Sequence, residues 1–387
     1  MSTISLAQLL STCMDASYQG CKSIRNFQKK QGDAAVKGTL KETNEIRSVV
    51  TQADIDAQNV ILKGLRNTWG STTLRIIGEE DEQQDDDGTT PALLRKDLLK
   101  DIKDEELNLD DLSIFVDPLD GTREFVEGRL ENVACLIGIA KNNRAIAGVV
   151  GLPFPKNDDI LIHYSIGDHG LNGIWPSKKP SQEIDDDSIT IYTGDSNNPI
   201  LLNATKCAMS LSSNTKHEII GGTASKLIQV ATQSKDSMAV LHFKTELWDT
   251  CPLESLLHSK QGKITDLFGA KLVYDSNRNF GNVFGVVASS AGCSKLHDEL
   301  CESMRKDHQS VHAIFKGYLG DEIPPLPQAM DIARDLDGIP LSTSYIQALF
   351  STDNKLKGYS IPEKDAWRGM MSTGMSITCC YLLIYLS

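Results

Sequence analysis

A mixed α/β or α+β fold is the expectation for this chain, and three observations carry it. Near the N-terminus, apolar or small residues at Leu6, Leu9, Leu10, Cys13, Met14, Ser17, Cys21, Ile24 and Phe27 recur at steps of three and four, the signature of an amphipathic helix. Further on, short β-branched runs such as "LRII", "SIFV", "VACLIGIA" and "AIAGVVGLP" read as strands. Helical patterns then alternate with further strands, so neither element type dominates.

Taken in order, the first helix is followed by "KKQGDAAVKGTLKETNE", a polar, Gly-containing stretch expected to be a mobile loop. "DIDAQNVILKGLRNTW" from Asp54 reads as a second helix. The runs "VACLIGIA" and "AIAGVVGLP" flank "KNNR" as in a hairpin. "AVLHF" and "VFGVVAS" supply more strands, and "ASKLIQVAT" and "CPLESLLHSK" more helices. A seam is expected near Pro153 to Asp158, dividing the chain into parts 1–155 and 156–316. Residues 317–387 change in texture, with "GYLGDEIPPLPQ" as a linker and only weak helical periodicity after it. The apolar end "SITCCYLLIYLS" is too short to span a bilayer, which takes about 20 residues.

The 387 residues suffice for a sizeable core. Lys+Arg is 39 against 52 for Asp+Glu, a net charge of -13, which argues against a nucleic-acid backbone or an anionic membrane as partner. Nine cysteines without CxxC spacing form neither a disulfide framework nor a zinc motif, so a reducing, cytoplasmic setting is expected. The N-terminus lacks the basic start and unbroken apolar run of a signal peptide. The acidic runs "EEDEQQDDDGTTP" and "EIDDDS" read as solvated loops.

The chemistry concentrates in "VDPLDGTREFVEG". Asp117 and Asp120 lie at the end of an apolar strand, where each buried carboxylate costs several kcal/mol unless something positive compensates it. Other acids end apolar elements too: Glu79 and Glu80 after "LRIIG", Asp54 at a helix start, and Asp249 in "TELWDTCP". Alone, each reads as a cap or surface carboxylate. Together with a carbonyl such as that of Leu119, they form the hard oxygen shell that Mg²⁺ prefers, and a pair of such ions activates water and stabilises the leaving oxygen of a phosphate ester. Gly121 and Thr122 read as a helix opening suited to holding an anion. Thr122 held by Asp54 is the pair expected to orient and deprotonate the water.

"DPLDGT", "GEED" and "WDTC", in this order and at these separations, resemble the lithium-sensitive, Mg²⁺-dependent phosphatase superfamily that contains inositol monophosphatase. The longer stretches "TQAD", "NVACLIGIAKNNRAIAGVVGLPF" and "WDTCPLESLLHSKQGKITDLFGAKLVY" are most similar to its 3'(2'),5'-bisphosphate nucleotidase branch, over about residues 1–315. The resemblance implies a layered αβαβα sandwich of the inositol monophosphatase/fructose-1,6-bisphosphatase type, acting as a monomer on a phosphorylated nucleotide. It implies two or three Mg²⁺ ions on Glu79, Asp117, the Leu119 carbonyl, Asp120 and Asp249, catalysis by Asp54 and Thr122, and inhibition by Li⁺. By the same resemblance, substrate contacts fall to Gly121, Thr193, Ser196, Gly222 and Lys226. Here the chain departs from the branch: Gly194 and Ser196 in "TGDS" stand where arginine and histidine are expected. Inositol polyphosphate 1-phosphatase is the sister reading, and its pattern has serine at Gly121. A catalytically inactive binding homologue would show a replaced metal ligand, and none is replaced.

Overall fold

The computed structural model describes residues 3–31, 39–40, 49–69, 74–80, 104–156, 159–176, 188–233, 235–241, 245–276, 280–282 and 284–307. In chain order its elements are β1 (Thr3–Ser5), α1 (Leu6–Gln31), β2 (Thr39–Leu40), β3 (Val49–Val50), α2 (Gln52–Trp69), β4 (Ile76–Gly78), β5 (Glu106–Asn108), β6 (Leu112–Asp120), α3 (Thr122–Val126), β7 (Ala134–Lys141) and β8 (Arg144–Leu152). They continue with β9 (Leu161–Ile166), β10 (Leu171–Trp175), β11 (Ile189–Thr193), α4 (Pro199–Ser210), β12 (Thr215–Ile219), α5 (Thr223–Thr232), β13 (Ser237–Leu241), α6 (Leu247–Ser259), β14 (Lys263–Thr265), β15 (Val286–Ser289) and α7 (Ser294–Lys306).

Two sheets organise these elements. The first has six strands in the order β10-β9-β8-β7-β6-β4, antiparallel except where β4 joins β6. The second has five in the order β12-β11-β13-β15-β14, with β11 parallel to both β12 and β13. Their cores show the layering. Leu9, Leu10, Ile24 and Ile61 from α1 and α2 bury against Ile114, Val116 and Ile137 on one face of the first sheet. Phe115 and Leu136 on its other face share a core with Leu227 of α5, Leu253 of α6, and Ala239 and Leu241 of the second sheet. On the far side, Ile191, Met238 and Val240 pack with Ile200 and Leu201 of α4 and Leu300 and Met304 of α7. Helices, sheet, helices, sheet, helices is the αβαβα order, with α5 and α6 as the middle layer.

The seam does not fall where the sequence suggested. β9 and β10 pair onto β8 through registers such as Leu152↔Leu161 and Trp175↔Ile162, so the first sheet runs past Asp158 to Trp175. The chain leaves it only before β11, because the turn after Leu152 is a link within a meander. "KNNR" does form the hairpin turn, with Asn142 at φ 50° and Asn143 at φ 63°, the left-handed pair that matches strand twist. The greater part of the expected loop from Lys29 to Glu45, most of both acidic runs and residues 317–387 lie outside the described residues.

One contact sets the spacing of the middle layer. Gly138 of β7 and Gly148 of β8 face each other in register. A Cβ at Gly138 would stand 2.6 Å from Cys251 Sγ, and one at Gly148 would stand 2.2 Å from the Pro252 carbonyl oxygen. The backbone of α6 therefore lies directly on the sheet. Gly148→Ala is expected to lower stability by about 1–3 kcal/mol, since helix backbone must move. Gly194→Ala, whose Cβ would meet nothing within 4 Å, should stay within about 0.5 kcal/mol. Urea denaturation of both variants checks this.

Candidate active site

β6 carries the first two acids. Alternation sends Ile114 and Val116 to the α1/α2 side and Phe115 to the middle layer, and continuing it places Asp117 on the middle-layer face. A regular strand would turn Asp120, three residues on, the other way. It does not, because the register with β7 shifts: Asp117 pairs with Leu136 and Asp120 with Ala134. Three steps on one strand against two on its partner make a β-bulge, which brings both carboxylates to the same face. Within it, Leu119 N–H donates to Asp117 Oδ1 at 2.9 Å.

The third acid comes from α6. Asp249 sits in its first turn, and the Glu246 N–H donates to Asp249 Oδ2 at 2.8 Å, half of a capping box. Carboxylate oxygens of Asp117, Asp120 and Asp249 lie within 4.8 Å of one another. Glu79, following β4, approaches from the opposite edge within hydrogen-bonding range of Asp117, and its N–H donates to Val116 O at 3.0 Å. Burial pushes both the Asp117 and Asp249 carboxyls well above the usual carboxylate range, with repulsion from Glu79, Asp249 and Asp120 added at Asp117 and from Asp120 and Glu79 at Asp249. Asp120 rises to about 6, burial outweighing the Ala224 N–H, the Lys226 charge and the Thr223 N–H.

Beside them, Asp54 is fully buried. Its Oδ2 accepts from Thr51 N–H at 2.8 Å and Thr51 Oγ1 at 2.6 Å, while its Oδ1 accepts from Thr122 Oγ1 at 2.8 Å. Burial lifts its carboxyl to about 6 against these hydrogen bonds. Thr122 Oγ1 also lies 3.1 Å from the Leu119 carbonyl oxygen, so a residue 68 positions away in sequence and the bulge hold one hydroxyl between them.

Glycines set the opposite wall. Gly121 (φ 83°) and Gly222 (φ 70°) adopt conformations that side chains rarely enter. A Cβ on either would stand within 2.7 Å of the same Asn132 carbonyl oxygen. From this turn, Thr223 N–H and Ala224 N–H at the start of α5 donate to the Asp120 carboxylate at 3.2 and 2.8 Å.

The residues expected to contact substrate are more scattered. Lys226 is buried, with Nζ donating to the carbonyls of Ile220, at 2.9 Å, and Gly222; burial lowers its ammonium to about 8. It thus braces the glycine turn and offsets Asp120 instead of standing open on a surface. Thr193, at the end of β11, places its hydroxyl 2.7 Å from His217 Nε2. Ser196 Oγ accepts from Asn198 N–H at 3.2 Å, closing a local turn. Gly194 meets nothing on its open side.

Four features escaped the sequence reading. The Gln58 amide clamps the chain after β4, its Oε1 accepting from Glu80 N–H at 3.0 Å and its Nε2 donating to Glu80 O. Gly78 admits that amide, since a Cβ there would stand 2.4 Å from Gln58 Oε1. Arg123, next to Thr122, bonds Asp195 across the site mouth at 2.9 Å. His217 brings an imidazole to Thr193 from a neighbouring strand. Of these only Gln58 carried a signal, a polar side chain on the apolar stripe of α2.

All three clustered donors are carboxylates, a set suited to a hard cation such as Mg²⁺ and poorly suited to zinc. Without a cation, removing one charge relieves repulsion. Asp117→Asn is accordingly expected to raise the melting temperature in EDTA relative to wild type and to lose the stabilisation that added Mg²⁺ gives the wild-type protein. Calorimetric scans with and without Mg²⁺ read both effects.

Comparison with known proteins agrees with this geometry. The chain is 31% identical over 268 residues to human 3'(2'),5'-bisphosphate nucleotidase 1, covering 66% of this chain and 83% of that protein. To the Dictyostelium discoideum protein of the same name it is 27% identical over 320 residues, covering 77% and 97%. Among solved structures, CysQ from Bacteroides thetaiotaomicron matches with a TM-score of 0.52 at 14% identity, covering 73% of this chain and 97% of that one. Inositol monophosphatase-II from Staphylococcus aureus matches with a TM-score of 0.52 at 18% identity, covering 78% and 95%. Residues 6–309 match the model of the inositol monophosphatase family, and the chain belongs to that family of phosphatases.

Proposed function

We propose that this phosphatase hydrolyses the 3'-phosphate of adenosine 3',5'-bisphosphate to the nucleoside 5'-phosphate and orthophosphate, and that the 2'-phosphate of the 2',5' isomer and the 3'-phosphate of the sulfated analogue are alternative leaving phosphates. The observation that carries the phosphomonoesterase reading is the convergence of Asp117, Asp120 and Asp249 beside the Asp54–Thr122 hydrogen bond. The nucleotide is favoured by the names of the curated relatives. Asp117, Asp120, Asp249, Glu79 and the Leu119 carbonyl would hold Mg²⁺, which when bound supplies charge compensation for the phosphate and activation of water.

The chain's own residues then have distinct tasks. Thr122 Oγ1, held by Asp54 Oδ1 and Leu119 O, orients the attacking water, accepts its proton and passes its own to Asp54. The water oxygen bonds to phosphorus as the bond from phosphorus to the ester oxygen breaks; the ester oxygen takes a proton from solvent water, and the proton held by Asp54 neutralises the hydroxide left behind. Asp54, with its carboxyl lifted to about 6 by burial, is a stronger base than an exposed aspartate. Gly121, at φ 83° with the Asn132 carbonyl oxygen where a Cβ would sit, is the residue that lets the chain turn directly after Asp120.

Phosphate release with Mg²⁺ tests the reading, comparing adenosine 3',5'-bisphosphate, its 2',5' isomer, the sulfated analogue and inositol bisphosphates. The adenosine nucleotides should turn over fastest, EDTA should abolish release, and Li⁺ should inhibit. Faster hydrolysis of an inositol bisphosphate would overturn the substrate assignment, and Mg²⁺-independent release would overturn the mechanism. Thr122→Val should lower kcat about 10²- to 10⁴-fold, the usual contribution of a positioned acid–base group, with Thr122→Ser recovering most of it.

A further inference from the structure

Glu79 is the acid assigned to the metals that stands outside the convergence of Asp117, Asp120 and Asp249, and the element that delivers it is slight. β4 has three half-buried residues and forms one edge of the six-stranded sheet, paired with β6. Its register ends at Gly78↔Val116. One more ladder bond, from Glu79 N–H to Val116 O at 3.0 Å, reaches the backbone of the acid itself.

At the next peptide a side chain takes over. Gln58 Oε1 accepts from Glu80 N–H at 3.0 Å, and Gln58 Nε2 donates to Glu80 O. A primary amide carries an acceptor and a donor side by side, so it serves the Glu80 backbone as a neighbouring strand would. The amide lies flat against the end of β4: a Cβ on Gly78 would stand 2.4 Å from Gln58 Oε1, 2.7 Å from its Cδ and 3.2 Å from its Nε2. Gln58 is 1% exposed, where an amide costs free energy unless it is bonded. Glu79 is thus fixed on one side by β6 and on the other by α2.

The same helix holds the pair that handles the water. Among the buried residues of α2, only Asp54 and Gln58 carry polar side chains. They are four apart, so they stand one above the other on a single helix face. Asp54 accepts from the Thr122 hydroxyl at 2.8 Å, and Gln58, one turn on, holds the chain that bears Glu79. We infer that Gln58 is a positioning residue for Glu79, and that α2 thereby sets this acid at a fixed distance from the Asp54–Thr122 pair. The inference rests on the proposed reading of Glu79 as a Mg²⁺ ligand. Without the amide the backbone after Glu79 would lose both bonds to α2, and the carboxylate would be aimed less narrowly at the other three acids.

Gln58→Met keeps the length of the side chain and removes both hydrogen bonds. It should weaken Mn²⁺ binding, read by titration calorimetry without substrate, about 10- to 100-fold, the usual cost of losing a group that holds a ligating side chain. The Mg²⁺ concentration for half-maximal phosphate release should rise in parallel, with the nucleotide KM at saturating Mg²⁺ unchanged. The decisive comparison is with Glu79→Gln. That variant alone should weaken Mn²⁺ binding, and adding Gln58→Met to it should weaken binding no further, because a residue that acts through the Glu79 carboxylate then has nothing to act through. Additive losses, the result of a purely structural role, or unweakened binding in Gln58→Met would overturn the inference. If Gln58→Met does not fold, Gly78→Ala, whose Cβ displaces the amide, carries the same test alone and combined with Glu79→Gln. If Glu79→Gln weakens binding and the change at the amide does not, the inference fails and Glu79 remains a ligand. If Glu79→Gln leaves binding intact, the ligand reading fails and the inference with it. If nucleotide turnover is absent while the metal pattern holds, the proposed reaction fails and the positioning role stands.

Discussion

Gly138 and Gly148 give up their side chains so that the Cys251 side chain and the Pro252 backbone can rest on the first sheet, and this fixes how far a helix-borne acid stands from a strand-borne one. Asp249 begins the same helix and is held rigidly by its capping hydrogen bond from Glu246 N–H. Were α6 lifted by the thickness of one methyl group, Asp249 would be carried away from Asp117 and Asp120, and the three-carboxylate cluster would open. The proline inside the helix serves the same contact, since it is Pro252 that lies over Gly148. Packing at the core and chemistry at the surface of the middle layer are thus one constraint.

Bringing those acids together works against the fold. Each buried carboxylate costs several kcal/mol to desolvate, and the cluster adds mutual repulsion. The protein offsets part of this locally. Thr223 and Ala224 N–H groups at the start of α5 reach Asp120, and Lys226, the only lysine or arginine buried among the described residues, lies near enough for its charge to lower Asp120. Asp117 and Asp249 receive less, and both remain well above the ordinary carboxylate range. The imbalance is local instability stored in the site, one that a bound cation would relieve.

Much of this was legible in the sequence, because acids at the ends of apolar runs are conspicuous. Asp54, Glu79, Asp117, Asp120, Thr122 and Asp249 could be grouped by residue type and position alone, and the structure brings them together. What stayed hidden depends on long-range pairing. The bulge that turns Asp120 beside Asp117 exists only against β7. The membership of β9 and β10 in the first sheet depends on registers with β8, so a seam inferred from turn residues near Pro153 fell within a meander. Lys226 is assigned to the substrate through the family resemblance alone; its burial, with Nζ bonded to the Ile220 and Gly222 carbonyls, is a tertiary feature that spacing does not encode. The Arg123–Asp195 bridge joins residues 72 apart in sequence, which no local pattern encodes.

The most direct test of the central claim is the binding of Mn²⁺, a paramagnetic stand-in for Mg²⁺, followed by the loss of its free-ion electron paramagnetic resonance signal on titration with protein. The account predicts saturable binding that competes with Mg²⁺, falls sharply in Asp249→Asn, and weakens in Gly148→Ala although that substitution removes no ligand. Undiminished Mn²⁺ binding in Asp249→Asn would contradict it, since the acids that α6 and the glycine pair bring together would then not be the metal site.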